Sequence, residues 1–234
     1  MLRAEKLNVF RGKLHILWDI SIYINKDEIV ALIGPNGAGK STLLQSLAGL
    51  LYPASGHIFF NNEEITNLPI HKRVELGISF VPEDRRLFPD LTVYENLRVG
   101  AYTSRARKKI KDTLEYVFNI FPLLKERRNQ LAMTLSGGEQ RMLSIARALM
   151  SKPEFLILDE ISQGLAPKIM TEVSRVLREI REGGTSILIA EQNIEFVLGF
   201  SDRAYVLENG RIFAEGESKK ILESEYVKKV YLGM

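Results

Sequence analysis

The sequence predicts an α/β fold with a mostly parallel sheet, an N-terminal antiparallel β part and an inserted helical part. Two observations support this prediction. Apolar runs of strand length recur at residues 28–33, 155–158 and 186–190, and helical patterns separate them. A glycine-rich stretch, residues 34–41, lies between the first run and a helical pattern at residues 41–48. A strand, a glycine-rich turn and a helix in this order are typical of α/β cores that bind phosphate groups.

Composition excludes several classes of protein. The 234 residues carry a net charge of +3, which is too small to indicate a nucleic-acid partner. The absence of cysteine excludes disulfides, thiolate metal sites and cysteine nucleophiles. The N-terminus lacks the apolar segment of a signal peptide, and no apolar run approaches the ~18 residues that span a bilayer. We therefore expect a cytosolic protein that reaches a membrane only through a partner.

Residues 2–33 are predicted to be strands. Isoleucine or tryptophan occupies alternate positions, which predicts a strand with one buried face. These positions are Ile16, Trp18, Ile20, Ile22 and Ile24. Phe10 is placed in the turn between the first two strands, where its ring either stacks on a base or packs against its neighbours. Strand character resumes at residues 56–60, so the N-terminal part is predicted to form an antiparallel sheet.

The glycine-rich stretch fits the phosphate-loop pattern G-x-x-x-x-G-K-[ST]. It comprises Gly34, Pro35, Asn36, Gly37, Ala38, Gly39, Lys40 and Ser41, and Thr42 follows. Its glycines allow backbone N–H groups to converge on phosphate oxygens, and the following helix adds the positive end of its dipole. Lys40 would reach the terminal phosphates and the Ser41 hydroxyl would bind Mg²⁺. A chance match in a turn is the alternative, but the flanking strand and helix favour the phosphate loop.

The chain becomes predominantly helical after the short strand at residues 77–81. Apolar residues at helical spacing between Ile110 and Phe121 predict one amphipathic helix, which Pro122 ends. The basic cluster at residues 105–111 would either bind nucleic acid or lipid headgroups, or form a solvated helix start. Acidic residues follow it and no aromatic residues interleave it, which favours the solvated helix start.

A second helix start follows at residues 135–139, with sequence Leu-Ser-Gly-Gly-Glu. Ser136 and Glu139 have the spacing of a capping box, so this stretch could simply begin a well-capped helix. Because Gly137 and Gly138 lie at the same helix N-terminus, it is also a candidate for a second anion site.

Two acids, Asp159 and Glu160, end the apolar run at residues 155–158. Acids at this position are costly unless they face a cation or water. In a phosphate-loop protein the first would hold Mg²⁺ and the second would position a water molecule. A solvated strand end is the alternative. We favour the metal-binding interpretation because the carboxyl ends of parallel strands converge on the ligand.

The remaining chain continues the alternation of helices and strands. A helical face runs from Ile169 to Ile180, and a strand at residues 186–190 ends at Glu191-Gln192. The turn Asn209-Gly210 then joins two strands in a predicted hairpin, and a short helical tail closes the chain.

The phosphate loop, the Leu135–Glu139 stretch and Asp159-Glu160, in this order, resemble the ABC-type ATPases of ABC transporters. The resemblance covers nearly the whole chain and implies one domain, 1–234. Residues 1–83 and 150–234 would form its catalytic core, and residues 84–149 a helical subdomain. Further stretches resemble the ATP-binding subunit of branched-chain amino acid importers, and urea and short-amide importers have a similar subunit. These stretches are residues 81–88, 92–97, 164–167, 191–193 and 205–210.

The resemblance implies a head-to-tail dimer that encloses two ATP molecules with Mg²⁺. Each ATP would contact one phosphate loop and the Ser136, Gly137, Gly138 and Glu139 stretch of a second, like or unlike, ATPase subunit. Phe10 would stack on adenine, Asp159 would hold the metal and Glu160 would polarise the attacking water. The helical part would grip a membrane permease at the cytoplasmic face, served by an extracytoplasmic solute-binding protein, with no nucleic acid involved.

Four positions depart from the usual pattern of the family. Glu83 replaces a glutamine, Gln192 replaces a histidine, Ala166 replaces an aspartate and Ile161 replaces a proline. The first three fit the branched-chain importer subgroup. Glu83 is assigned a catalytic and metal-binding role, for which Mg²⁺ or water must separate it from phosphate. Gln192 can still donate a hydrogen bond to the terminal phosphate.

Three functions are therefore compared. The first is the energising ATPase subunit of an amino acid importer. The second is an ABC ATPase without a permease, acting on nucleic acid or in cluster assembly. Nucleic-acid versions usually carry two such domains or a long coiled-coil insertion, and this chain has neither. The third is a nucleotide-gated binding module that does not hydrolyse ATP. The retained Glu160 argues against this third function.

Overall fold

The computed structural model describes residues 1–231, which form ten strands and eleven α-helices. The strands are β1 (Leu2–Arg11), β2 (Leu14–Ile24), β3 (Ile29–Ile33), β4 (Ser55–Phe60), β5 (Glu63–Glu64), β6 (Ile78–Val81), β7 (Phe155–Asp159), β8 (Ser186–Glu191), β9 (Arg203–Glu208) and β10 (Arg211–Glu217). The helices are α1 (Lys40–Ala48), α2 (Ile70–Leu76), α3 (Val93–Gly100), α4 (Ser104–Lys108), α5 (Ile110–Ile120), α6 (Pro122–Glu126), α7 (Gly137–Leu149), α8 (Pro167–Glu182), α9 (Ile194–Leu198), α10 (Ser218–Glu223) and α11 (Glu225–Tyr231).

The larger sheet has the strand order β10-β9-β3-β8-β7-β6. All its pairings are parallel except that of β10 with β9. The carboxyl ends of β3, β7 and β8 therefore lie side by side at one edge, where the phosphate loop begins. This arrangement confirms the predicted α/β fold class.

The central strand β3 is buried on both faces, as expected for a parallel strand. Ile29, Ala31 and Ile33 contribute to a hydrophobic cluster shared with α5, α7 and α8. Val30 and Leu32 contribute to a second cluster shared with α1 and the antiparallel strands. The sheet thus separates a helical layer from the N-terminal β layer, and both layers are fixed to the strand that carries the loop.

The smaller sheet is antiparallel, with the order β2-β1-β4-β5, as predicted. The alternation predicted for β2 is wrong in its first half. Leu17 is fully buried and Trp18 is 39% exposed, the reverse of the prediction. The cause is an irregularity at Asp19, whose φ of +48° interrupts the pairing register between Leu17 and Ile20. Such a bulge moves the side chains before it to the opposite face.

Phe10 is also misplaced by the sequence analysis. It lies inside β1, paired with His15 of β2, and the turn consists of Gly12 and Lys13. Its side chain is 40% exposed.

The segment between β6 and β7 is predominantly helical, as predicted. The face of α5 that includes Val117 and Phe118 packs in the core. The helix ends just before Pro122, as predicted, and Pro122 begins α6. Helix α2 was not assigned from the sequence.

Within residues 1–231, none of the helices has the length and apolar content needed to cross a bilayer.

Candidate active site

The phosphate loop connects β3 to α1 in a conformation that requires glycine. Gly34 has a φ of +157°, and a Cβ atom there would lie 2.1 Å from the carbonyl oxygen of Leu207. Gly39 has a φ of +109°, and its Cβ would lie 2.7 Å from the Leu17 side chain. The loop is therefore seated closely between the β9–β10 hairpin and β2. This close fit fixes the start of α1, whose N-cap is Gly39.

The Lys40 side chain folds back over the loop. Its Nζ donates to the Gly34 carbonyl at 2.9 Å and to the Pro35 carbonyl at 3.3 Å. It also forms an ion pair with Glu160 Oε1 at 3.3 Å, in which the two side chains are 4% and 10% exposed. The structure thus brings together two residues that lie far apart in the sequence.

Glu160 is aimed at the loop by an unusual backbone turn. Its φ is +44°, in the left-handed region that non-glycine residues seldom occupy, and its N–H donates to the Ala190 carbonyl at 2.9 Å. Gln192 Nε2 donates to Glu160 Oε2 at 2.9 Å and also contacts Asn36 Oδ1. The Glu160 carboxylate therefore contacts both Lys40 and Gln192.

Asp159 lies beside Ser41, whose Oγ donates to Asp159 Oδ1 at 3.2 Å. Burial raises the pKa of Asp159 to about 6, and the charges of Glu160 and Glu83 act in the same direction, against the Ser41 hydrogen bond. This side chain is therefore poorly compensated as an anion. A hydroxyl and a carboxylate are oxygen ligands that suit Mg²⁺, which also retains water and takes phosphate oxygens. Within residues 1–231, no cluster of three or more His, Asp or Glu side chains offers an all-protein metal cage.

Nine of the eighteen predicted site residues line one open cavity. Its lining comprises Ile16, Asn36, Gly37, Gly39, Lys40, Ser41, Thr42, Glu83, Glu160, Gln163 and Gln192. The other nine predicted residues are not part of this lining, namely Phe10, Gly34, Pro35, Ala38, Asp159 and the Ser136–Glu139 stretch. Gln163 was not singled out from the sequence. Its signal would have been its position three residues after Glu160.

The predicted capping box at the start of α7 is present. Glu139 Oε2 accepts from the Ser136 N–H at 2.8 Å, and Ser136 Oγ accepts from the Glu139 N–H at 3.4 Å. Arg127 Nη2 also lies 3.1 Å from Glu139 Oε1. The N-terminus of α7 is thus locally fixed before any ligand reaches it.

Arg141 is a buried residue behind the site that was not predicted from the sequence. It is 1% exposed. Its guanidinium donates to the carbonyls of Pro82 at 3.2 Å, Glu83 at 2.9 Å and Glu160 at 3.4 Å. Burial lowers its pKa to about 10, so it remains charged at neutral pH. One side chain of α7 therefore holds the backbone of both Glu83 and Glu160.

Glu191 was also missed as a supporting residue. It is 1% exposed, and its carboxylate accepts from the Ser162 N–H at 2.8 Å and the Ser162 Oγ–H at 2.6 Å. Burial raises its pKa to about 7, although both Ser162 hydrogen bonds oppose the shift. Because Ser162 is two residues after Glu160, this contact fixes the segment that follows Glu160.

We expect Glu191→Ala to lower the free energy of unfolding by about 2–4 kcal/mol, because two buried donors of Ser162 lose their acceptor at roughly 1–3 kcal/mol each. Glu191→Gln keeps a carbonyl acceptor and should lose less. Urea unfolding of both variants measures the difference. Equal losses in the two variants would contradict the importance of the acceptor.

The same residue gives a pH dependence of stability. Because the pKa of Glu191 rises from 4.5 to about 7 on folding, its contribution is fully present below pH 4.5 and is lost as the pH rises to about 7. The wild type should lose on the order of 1–3 kcal/mol over this interval relative to Glu191→Gln. Unfolding curves across the interval measure this, and parallel pH profiles for the two proteins would rule it out.

The fold and this cavity define an α/β phosphate-loop ATPase. A family model described as "ABC transporter" matches residues 17–163, more than half of the chain. The chain belongs to the ABC transporter ATPase family, as the sequence resemblance indicated. It is therefore an ATPase of a transporter, acting on ATP.

Relatives along the whole chain support this assignment. The chain is 45% identical over 234 residues to the high-affinity branched-chain amino acid transport ATP-binding protein BraG of Pseudomonas aeruginosa, covering 100% of both. It is 42% identical to the probable branched-chain amino acid transport ATP-binding protein LivF of Archaeoglobus fulgidus, covering 100% of this chain and 99% of that protein. It is 37% identical to the lipopolysaccharide export system ATP-binding protein LptB of Haemophilus influenzae, covering 100% and 97%.

Solved structures agree with the fold. The ADP conformation of MJ1267, an ATP-binding cassette of an ABC transporter, matches with a TM-score of 0.86 and 31% identity, covering 100% of this chain and 99% of that one. The dimeric structure of MJ0796, a bacterial ABC transporter cassette, matches with a TM-score of 0.80 and 25% identity, covering 93% and 99%.

Proposed function

We propose that this chain is the ATP-binding and hydrolysing subunit of an importer for branched-chain amino acids. The observation that supports this choice is the full-length identity of 45% and 42% to two proteins of that description. The lipopolysaccharide export protein is less similar, at 37%. Urea or short-amide import and a role without a permease are the alternatives that the experiment below separates.

ATP binds with its phosphates against the loop, where backbone N–H groups and the α1 dipole stabilise their charge. Lys40 exchanges its carbonyl and Glu160 contacts for the terminal phosphates. Ser41 and Asp159 would hold Mg²⁺, and Glu83 would act on it through water. The metal would supply charge neutralisation for the phosphate groups.

Hydrolysis depends on Glu160. Once phosphate engages Lys40, the Glu160 carboxylate is free to accept a hydrogen bond from the attacking water and to polarise it. Gln192 keeps its hydrogen bond to Glu160 and gives up its contact with Asn36, so that its second amide N–H donates to the terminal phosphate. The buried Arg141 and Glu191 hold the backbone on either side of Glu160, so the carboxylate keeps its direction.

The second half of each site comes from another ATPase subunit, identical or closely related. Its Ser136, Gly137 and Gly138 bring the N-terminus of α7 to the terminal phosphate, with Glu139 keeping the cap in place. The dimeric structure of the related cassette MJ0796 supports the presence of a second subunit. ATP then joins the two subunits, and hydrolysis releases them.

A permease docks on the helical side of the molecule. A cavity between β6, α3 and α7 is lined by several apolar and aromatic side chains. Phe88, Val99 and Tyr102 are 46%, 42% and 45% exposed in this lining, and Arg147 lies over the Phe88 ring at 5.5 Å. An apolar groove with a basic residue suits a cytoplasmic helix of the permease. The proposed location of the subunit is therefore the cytoplasmic face of the membrane.

Co-expression of the chain with a branched-chain amino acid permease and its solute-binding protein tests the proposal. Membrane fractionation should recover the chain in the pellet only with the permease, and vesicles should take up labelled leucine but not urea when ATP is supplied. Val99→Asp should release the chain from the pellet. Tyr52→Asp, which changes a 52% exposed residue outside this cavity, is the matched control. Uptake of urea alone, or no association with any permease, would contradict the proposal.

A further inference from the structure

Three rings form a stack on the surface at the end of β1. The Phe10 and His15 ring centroids are 4.2 Å apart at an interplanar angle of 13°. The His15 and Trp18 centroids are 3.5 Å apart at 32°. We call Phe10, His15 and Trp18 the ring stack. Its members belong to two paired strands, so the backbone register of β1 and β2 brings them together.

The two inner members of the ring stack, His15 and Trp18, are held by neighbouring residues. His15 Nε2 lies 3.1 Å from Asn8 Oδ1, which fixes the imidazole in its plane. The Arg211 guanidinium lies over the Trp18 ring at 5.3 Å. The backbone N–H of Trp18 donates to the Gly210 carbonyl at 2.8 Å, which ties the strand that carries the stack to the β9–β10 hairpin. Phe10 is at the outer end, and the parallel imidazole covers one of its faces.

The strand end that carries Phe10 is tied to the phosphate site. Arg11 Nε donates to Thr42 Oγ1 at 3.0 Å, and Arg11 Nη2 donates to Gln45 Oε1 at 2.7 Å. Thr42 lines the phosphate-loop cavity, as does Ile16 of β2. We therefore expect a planar group bound next to the loop phosphates to reach the outer face of Phe10.

We propose that His15 is a positioning residue for the nucleotide base. Held between Asn8, Trp18 and Phe10, the imidazole keeps the phenyl ring in one orientation, so that its free face is preorganised for a planar base. The base then extends the ring stack by one member. The inference rests on the proposed nucleotide site, and it assigns roles to His15 and Trp18 that the phosphate-binding residues do not fill.

The bulge at Asp19 makes this arrangement possible. With the regular alternation predicted from the sequence, Trp18 would face the core. The irregularity instead leaves Trp18 39% exposed, on the surface where it meets His15.

The test separates base binding from phosphate binding. Calorimetry measures the affinity of the full chain for Mg²⁺·ADP and for Mg²⁺·pyrophosphate, which lacks a base. His15→Ala should weaken ADP binding about fivefold to tenfold, because a base–aromatic contact loses its support. Pyrophosphate binding should change less than about twofold, since His15 does not reach the phosphate loop. His15→Tyr keeps a ring in the stack and should retain most of the ADP affinity.

Trp18 supplies a second readout, because it is the single tryptophan of the chain. ADP should change its fluorescence in the wild type and pyrophosphate should not, and His15→Ala should abolish the ADP response. Leu14→Ala changes a neighbouring residue that is 69% exposed and serves as the control.

Two outcomes would overturn the inference: unchanged ADP affinity in His15→Ala, or equal weakening of ADP and pyrophosphate. Failure of the wild type to bind either ligand would instead overturn the proposed nucleotide site. The two failures are therefore distinguishable.

Discussion

Glu160→Gln should lower the rate of ATP hydrolysis by about 10²–10⁴-fold while leaving ATP binding intact. The amide keeps the size of the carboxylate and can still contact Lys40 and Gln192, which lie 3.3 Å and 2.9 Å from the two carboxylate oxygens. It cannot polarise water as a carboxylate does. Because ATP then persists between the subunits, the variant should accumulate as an ATP-dependent dimer.

Phosphate release and gel filtration with and without ATP measure these two effects. Glu154→Gln is the matched control, because Glu154 immediately precedes β7, at the opposite end of the strand from Glu160, and its side chain is 46% exposed. It should hydrolyse ATP at the wild-type rate. Equal rates for Glu160→Gln and the wild type would remove Glu160 from its assigned role. An elution profile that ATP does not change would argue against the dimer.

Lys40→Met should weaken ATP binding by about 10²-fold, since charge-assisted hydrogen bonds to phosphate are lost. The substitution has a second consequence in the free protein. Lys40 is the ion-pair partner of Glu160, and an unpaired buried carboxylate costs up to about 3–5 kcal/mol. A loss of binding in this variant alone would therefore not distinguish a missing phosphate contact from a less stable fold.

The double variant Lys40→Met/Glu160→Gln separates the two effects. It removes the buried charge together with its partner, so most of the lost stability should return. ATP binding should remain as weak as in Lys40→Met. Calorimetric binding and thermal unfolding of the four proteins form a double-mutant cycle. If the double variant bound ATP as tightly as Glu160→Gln, Lys40 would have no role as a phosphate ligand.

Features set by local chemistry were predictable from the sequence. The phosphate loop has fixed residue types because its backbone requires glycine at Gly34 and Gly39, and the structure places both in close contact with neighbouring elements. The Ser136–Glu139 capping box depends on residues three apart, so its hydrogen bonds form as the spacing indicates. Asp159 and Glu160 could be selected as candidates because they are acids at the end of a buried strand.

Features set by tertiary contacts were not predictable in this way. The bulge at Asp19 exists through pairing with β1, and it reverses the faces of Leu17 and Trp18. Arg141 resembles a surface arginine in the sequence, because its three carbonyl acceptors come from two distant segments. Glu191 is identified as a buried acceptor only when Ser162, 29 residues away, is brought beside it.

The guanidinium of Arg141 links α7 directly to the edge of the sheet that carries Glu160. It is planar and rigid, and it holds backbone oxygens from the ends of both β6 and β7. A rotation of α7 as a rigid body must therefore displace Glu160 or break these bonds. When a partner moves the helical layer, the strength of this single link determines how faithfully that displacement is transmitted to the carboxylate.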